Sequence, residues 1–212
     1  MPYRTIRRST VATLAALGLL TASACATEDN ATNEATNGTA AVTTEDPDTE
    51  GVPTSMNTAD GAEIGTVEFL ERDGGVEVSA QLSGLEPGFY GFHIHEFGAC
   101  ETDSADPDNP EDTGDFLSAG GHLNPTDADH PDHAGDLPQL LVTESGDAEL
   151  TFLTDRFTLA DLEGEDGAAV IIHSDPDNYA NIPERYASDG VDEDTTSTGD
   201  AGDRLACGII GA

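Results

Sequence analysis

Lysine is absent from this 212-residue chain: all seven basic residues are arginine, set against 43 acids for a formal net charge of −36. Arg4, Arg7 and Arg8 are crowded at the N-terminus, which leaves only Arg72, Arg156, Arg185 and Arg204 beyond it. Such a chain has no basic face to lay on nucleic acid or on an anionic membrane surface. Its surface is heavily solvated, of a kind that suits high salt. Long apolar runs are also missing. Val11–Leu20 is too short to cross a bilayer, which takes about 20 apolar residues. Cysteine is scarce, with only Cys25, Cys100 and Cys207. No stretch carries a clear helical period, which argues against a helix bundle.

The N-terminal arginines, the apolar run and the small residues that follow have the order of a secretory leader, residues 1–24. Ala22-Ser23-Ala24 reads as a small-residue cleavage site, and Cys25 directly after it also resembles a lipobox cysteine, the favoured reading being lipidation there. Either way the mature chain works outside the cytoplasm, and a lipid on Cys25 would be its only membrane attachment. Residues 25–60 are Thr, Asn, Ala, Asp and Glu with no aromatic side chain, and are expected to form a disordered acidic tether. Residues 61–212 make one domain's length. With Cys25 used by the leader or a lipid, Cys100 and Cys207 remain as a pair in an oxidising compartment, where a disulfide is the expected state.

Glu63–Glu71 and Val76–Leu82 alternate apolar with polar around the turn residues Arg72-Asp73-Gly74-Gly75, which predicts a β-hairpin. Phe89–His95 is expected as one third strand, Leu140–Val142 and Ala148–Leu153 as two more, Ala168–His173 as a buried strand and Arg204–Ile210 as the last. Between them lie two acidic loops, 100–115 and 175–198; the first misses the spacing of a calcium-binding EF-hand and reads as solvated. Seven or eight short strands without a clear helix indicate an all-β antiparallel sandwich or barrel with its function on loops.

The stretch that carries chemistry is GFHIHEFGAC, Gly91–Cys100. His93 and His95 lie two apart, and on a strand that places both imidazoles on one face, able to converge on one metal ion. An isolated His-x-His is more often a solvated pair. Here, however, the other four histidines, His122, His130, His133 and His173, all fall within the same folded segment, three of them on a Gly- and Pro-punctuated loop with Asp136.

With GFHIHEFGAC, SAGGHLNP, HAGDLP, VIIH and GDAGDRLACGIIG in this order, the chain resembles the secreted bacterial copper, zinc superoxide dismutases over about Glu63–Ala212. The resemblance implies a Greek-key β-sandwich or flattened barrel that disproportionates the superoxide anion to oxygen and hydrogen peroxide. It implies copper on His93, His95, His122 and His173, and zinc on His122, His130, His133 and Asp136, with His122 bridging. Imidazole suits copper in both oxidation states, and three nitrogens with one oxygen suit a closed zinc site. Arg204 would hold the superoxide anion, Asp177 would join a copper histidine to a zinc histidine, and Cys100–Cys207 would be the family's disulfide. The resemblance implies nothing about whether the protein is a monomer or a homodimer.

Two features depart from the family's pattern. His130 and His133 are only three residues apart, so both must reach one ion from a single tight turn, and the missing lysines leave little positive charge around the channel. The competing reading is a non-catalytic extracytoplasmic copper- and zinc-binding protein. All four copper ligands and Arg204 are retained, which speaks for the enzyme.

Overall fold

The computed structural model describes residues 51–212; the leader, Cys25 and the tether up to residue 50 lie outside them. Eleven strands carry the fold, all paired antiparallel. They are β1 (Val52–Thr58), β2 (Glu63–Arg72), β3 (Gly75–Ser83), β4 (Gly88–Tyr90), β5 (Phe92–His95), β6 (Ser104–Ala105), β7 (Thr113–Gly114), β8 (Leu140–Val142), β9 (Asp147–Thr154), β10 (Ala169–His173) and β11 (Arg204–Ile209). Seven of them form one curled sheet in the order β5-β10-β11-β1-β2-β3-β9, while β4 pairs with β8 and β6 with β7. The all-β antiparallel expectation is met.

Alternation builds the core. Val76, Val78, Ala80 and Leu82 of β3 are buried in turn, and they join Met56, Val67, Phe69, Phe92, Ile94, Leu140, Val170 and Ile172 in one cluster. The strands β5 and β10 are buried on both faces. Phe92 and Ile94 face that core, whereas Ala169 and Ile171 belong to a second cluster with Phe116, Ala119 and Cys207. A strand covered on both sides reads as a continuous apolar run, which is why AAVIIH shows no alternation.

Three expectations need correction. The tether was expected to extend to residue 60, but Val52–Thr58 is a strand between β2 and β11. Its inward residues are Thr54 and Met56, and a Thr in place of an aliphatic residue hides the period-2 signal. The stretch expected as a single strand, Phe89–His95, breaks at Gly91 into β4 and β5, which pair with different partners. A Cβ at Gly91 would lie 2.6 Å from that of Ala201, and its N–H and C=O bond Asp175 and His173, 2.8 and 2.9 Å away. Both acidic loops hold regular structure. The first contains the β6–β7 ladder around an Asp106 carboxylate that accepts the Asp108 and Asn109 N–H groups. The second contains α2 (Glu193–Thr198), which follows a shorter helix, α1 (Leu159–Leu162). Asp192 caps α2, accepting from the Thr195 N–H at 3.0 Å.

Candidate metal centre

The outer edge of β5 is where the site is assembled. Ile94 N–H donates to Gly135 O at 2.9 Å and Leu123 N–H donates to Ile94 O at 2.8 Å, which lays the His122–Asp136 loop along β5 like an extra strand. That ladder pairs His93 with Asp136 and His95 with His122. Glycine is required at position 135, because a Cβ there would lie 2.2 Å from Ile94 O. On the other side of β5, the β10 ladder ends on His173. Backbone pairing thus brings all seven predicted ligand side chains together, although they span 44 residues before His173 is added.

All of them are buried. His93, His95, His122 and His173 form one set, and His122, His130, His133 and Asp136 a second; within each set the nearest ligating atoms lie within 4.8 Å of one another. His122 belongs to both. The outer hydrogen bonds fix which ring nitrogen faces inward. His95 Nδ1 donates to Gly120 O at 2.8 Å and His173 Nδ1 donates to Gly202 O at 3.3 Å, so each presents Nε2; those two Nε2 atoms are 3.3 Å apart. His93 and His130 both turn Nε2 to one carboxylate, Asp177, at 2.9 and 2.8 Å, and so present Nδ1. His122 turns Nδ1 to Asp136 Oδ1 at 2.7 Å and presents Nε2 to the first set. His133 Nδ1 lies 3.3 Å from His122 Nδ1 and 3.2 Å from Asp136 Oδ1.

These residues fit copper and zinc. Among the described residues, five buried side-chain polar atoms have no hydrogen-bond partner, and three of them are His93 Nδ1, His122 Nε2 and His130 Nδ1. A buried ring nitrogen without a partner costs free energy unless something else occupies its lone pair. His130 Nδ1 is 3.1 Å from Asp136 Oδ2, yet in no hydrogen-bond alignment. Separations of 3.2 to 3.3 Å match the edge of a tetrahedron whose ligands stand about 2.0 to 2.1 Å from its centre.

Electrostatics separates the two halves. Burial holds His95 and His173 neutral, well below the ordinary histidine range, with positive neighbours adding to the effect. His122 falls to about 3, because burial and His93 outweigh the Asp136 carboxylate. His130 goes the other way. Burial lowers it, but Asp136 and Asp177 prevail and raise it to about 9. Burial likewise pushes both carboxyls up, and bonds from the histidines pull them far below the usual carboxylate range. The first half is thus held neutral at His95, His122 and His173, while the second balances His130 against two carboxylates.

Arg204 lies beside the neutral half. It donates to Phe116 O and Gly120 O, each at 2.7 Å, so the Gly120 carbonyl serves both Arg204 and His95. Burial lowers the Arg204 pKa, partly offset by Asp106 and Asp112 of the acidic loop. Cys207, three residues on, is bonded to Cys100, with Cα atoms 5.7 Å apart. That bond ties the acidic loop to β11.

Several supporting residues escaped the sequence reading. Gly199 ends α2 with φ 64°, and a Cβ there would meet Asp177 Oδ1 at 2.1 Å and His130 Nε2 at 2.5 Å. The cap Asp192 and a Gly seven residues later could have flagged that helix end. Tyr179 donates its N–H to Asp177 at 2.7 Å and accepts from the Gln139 N–H at 3.0 Å, tying one loop to the other. No local sequence signal marks it.

Fold and site define the class: an all-β antiparallel protein whose two adjoining candidate metal-ligand sets share one imidazole. The family described as copper/zinc superoxide dismutase matches residues 63–210. A superoxide dismutase [Cu-Zn] of Mycolicibacterium paratuberculosis is 43% identical over 169 residues, 76% of this chain and 74% of that one. Its counterpart in Mycobacterium tuberculosis is 41% identical over 176 residues, 79% and 73% of the two chains. Among solved structures, the Cu/Zn superoxide dismutase from Brucella abortus superposes with a TM-score of 0.60 at 30% identity, covering 76% of this chain and 99% of that one. A SOD-like protein from Bacillus subtilis superposes with a TM-score of 0.57 at 29% identity, covering 76% and 98%. The chain belongs to the copper/zinc superoxide dismutase family, whose metals are copper and zinc.

Proposed function

We propose that this enzyme converts two superoxide anions and two protons to one molecule of oxygen and one of hydrogen peroxide, at a copper held by His93, His95, His122 and His173 beside a zinc held by His122, His130, His133 and Asp136. The observation that carries the assignment is the shared His122, whose two ring nitrogens face the two ligand sets, Nε2 without any hydrogen-bond partner. Bound to those four histidines, copper would supply a one-electron redox couple. The protein supplies orientation. Gly120 O and Gly202 O fix the tautomers of His95 and His173, and Asp177 fixes those of His93 and His130 together. Arg204 offers a cation of fixed position to the incoming anion, since its guanidinium is held by two carbonyls. His122 is placed to carry a proton on Nε2 when that atom holds no metal, since its Nδ1 is turned to Asp136.

The Cys100–Cys207 bond supports work in an oxidising compartment, outside the cytoplasm. The leader order of residues 1–24, lipidation at Cys25 and a tether ending before β1 complete the proposed organisation. Metal-to-protein ratios on purified protein, measured alongside superoxide disproportionation before and after chelation, test the reading. One copper and one zinc per chain with copper-dependent turnover is expected; full metal loading without turnover would identify a carrier instead.

A further inference from the structure

We propose that Arg156 is a positioning residue for the His130, His133 and Asp136 half of the metal centre, a role that rests on those residues being the zinc ligands. The link between His130 and His133 is only Pro131 and Asp132. A turn so short leaves its carbonyls pointing outward, away from the ligands it must aim. Arg156 follows the edge strand β9, and its Nη1 donates to Pro131 O at 2.8 Å and to His133 O at 3.0 Å. One guanidinium nitrogen therefore clasps both ends of the link. His133 O also accepts the Asp136 N–H at 3.3 Å, and the His133 N–H donates back to Asp136 Oδ2 at 2.9 Å, so the clasp acts on three ligands through one backbone unit.

The contact is to carbonyls rather than to charge. Asp132, the acid nearest Arg156, is 3.8 Å away and its side chain is 81% exposed, so that ion pair contributes little. Arg156 is one of four arginines outside the leader, in a chain without lysine. Arg72 pairs with Glu77 and Arg185 stacks on Tyr186, whereas Arg204 and Arg156 each bridge two carbonyls of a ligand-bearing loop. The distribution gives each half of the centre one arginine staple.

Titration of metal-free full-length protein with Co²⁺ and Zn²⁺ against a competing chelator tests the assignment, with copper affinity and metal-free melting measured in parallel. Outer contacts of this kind are worth about 10- to 100-fold in metal affinity. Arg156→Gln is expected to weaken zinc and cobalt binding by at least about tenfold and to dull the tetrahedral cobalt visible bands, while copper affinity and metal-free melting stay at wild-type values. Arg156→Lys, which keeps a donor but loses reach, is expected to recover part of the loss. Asp132→Asn is expected to change nothing. Wild-type zinc affinity in Arg156→Gln would overturn the proposal alone. Equal loss of copper, zinc and metal-free stability in both Arg156 variants would reduce the residue to a general support of the fold and overturn it as well. A wild-type protein that binds neither zinc nor cobalt at this cluster would overturn the ligand assignment together with the proposal.

Discussion

In the proposed assignment His122 is the residue that both metals share. Removing it takes Nε2 from one ligand set and Nδ1 from the other, whereas removing His95 takes a ligand from the first set alone. We expect His122→Ala to lower the occupancy of copper and zinc together, and His95→Ala to lose copper while retaining most of its zinc. Metal-to-protein ratios separate the two. Full zinc occupancy in His122→Ala would show that its imidazole is not shared. The same logic explains the burial of Asp177, whose two oxygens each take one histidine from a different set. The candidate ligands sit on strands or on loops pinned to a strand edge, and the His130 N–H is held by Thr196 O of α2 at 2.8 Å.

At the scale of the element, β1 is the strand with least sequence signal and much structural consequence. It lies between β2 and β11, so its loss would open two ladders at once and take the buried Met56 out of the core. Burying a side chain of that size is worth about 1.5 to 3 kcal/mol, and an exposed strand edge invites aggregation. β11 carries both Arg204 and Cys207, so the effect should reach the site. We expect a chain beginning at Gly61 to lose cooperative unfolding and soluble expression, and one beginning at Gly51 to keep both. Equal melting midpoints for the two would contradict the placement of β1 as a core strand. The kink at Gly91 is the other decisive element feature. By passing the chain from the β4–β8 ladder to the β5–β10 ladder, it turns His93 and His95 toward the loops while Phe92 and Ile94 stay in the core.

For the molecule as a whole, charge and titration make two predictions. Beyond residue 24, four arginines face 43 acids, so superoxide meets net repulsion at long range and attraction only close to Arg204. Salt screens distant charges first, with a Debye length of about 10 Å at 0.1 M. The second-order rate should therefore stay flat or rise with ionic strength; pulse radiolysis at fixed pH and checked metal loading measures it, and a steep fall would mean that local arginines govern the approach. Stability of the metal-free protein should depend on pH in both directions. His95, His122 and His173 are depressed when folded, so the unfolded chain binds more protons below about 6.5 and stability drops as pH falls from there. His130 is raised to about 9, so its contribution is complete below about 6.5 and disappears as pH rises through 9. The melting midpoint of metal-free protein should peak near pH 6.5 and decline on both sides. A flat profile from pH 4 to 9 would mean that these histidines are solvated without metal.

The sequence by itself carried the candidate ligands and the all-β architecture. Alternation in Val76–Leu82, the HIH spacing and the position of each histidine within a motif are local facts, and local facts survive in one dimension. It also limited the cysteines to one pair, which the structure joins. Tertiary structure alone decided what depends on meetings between distant segments. Thr54 and Met56 became a core face only because β2 and β11 flank them. Phe89–His95 became two strands because Gly91 is pressed against Ala201 and His173. Gly199, Tyr179 and Arg156 acquired their roles from neighbours 20 or more residues away, through backbone carbonyls, N–H groups and close approaches that carry no residue signature. Ligand chemistry resides in side chains and can be read from them. The aim of those side chains is set by the backbone, and only the folded chain fixes it.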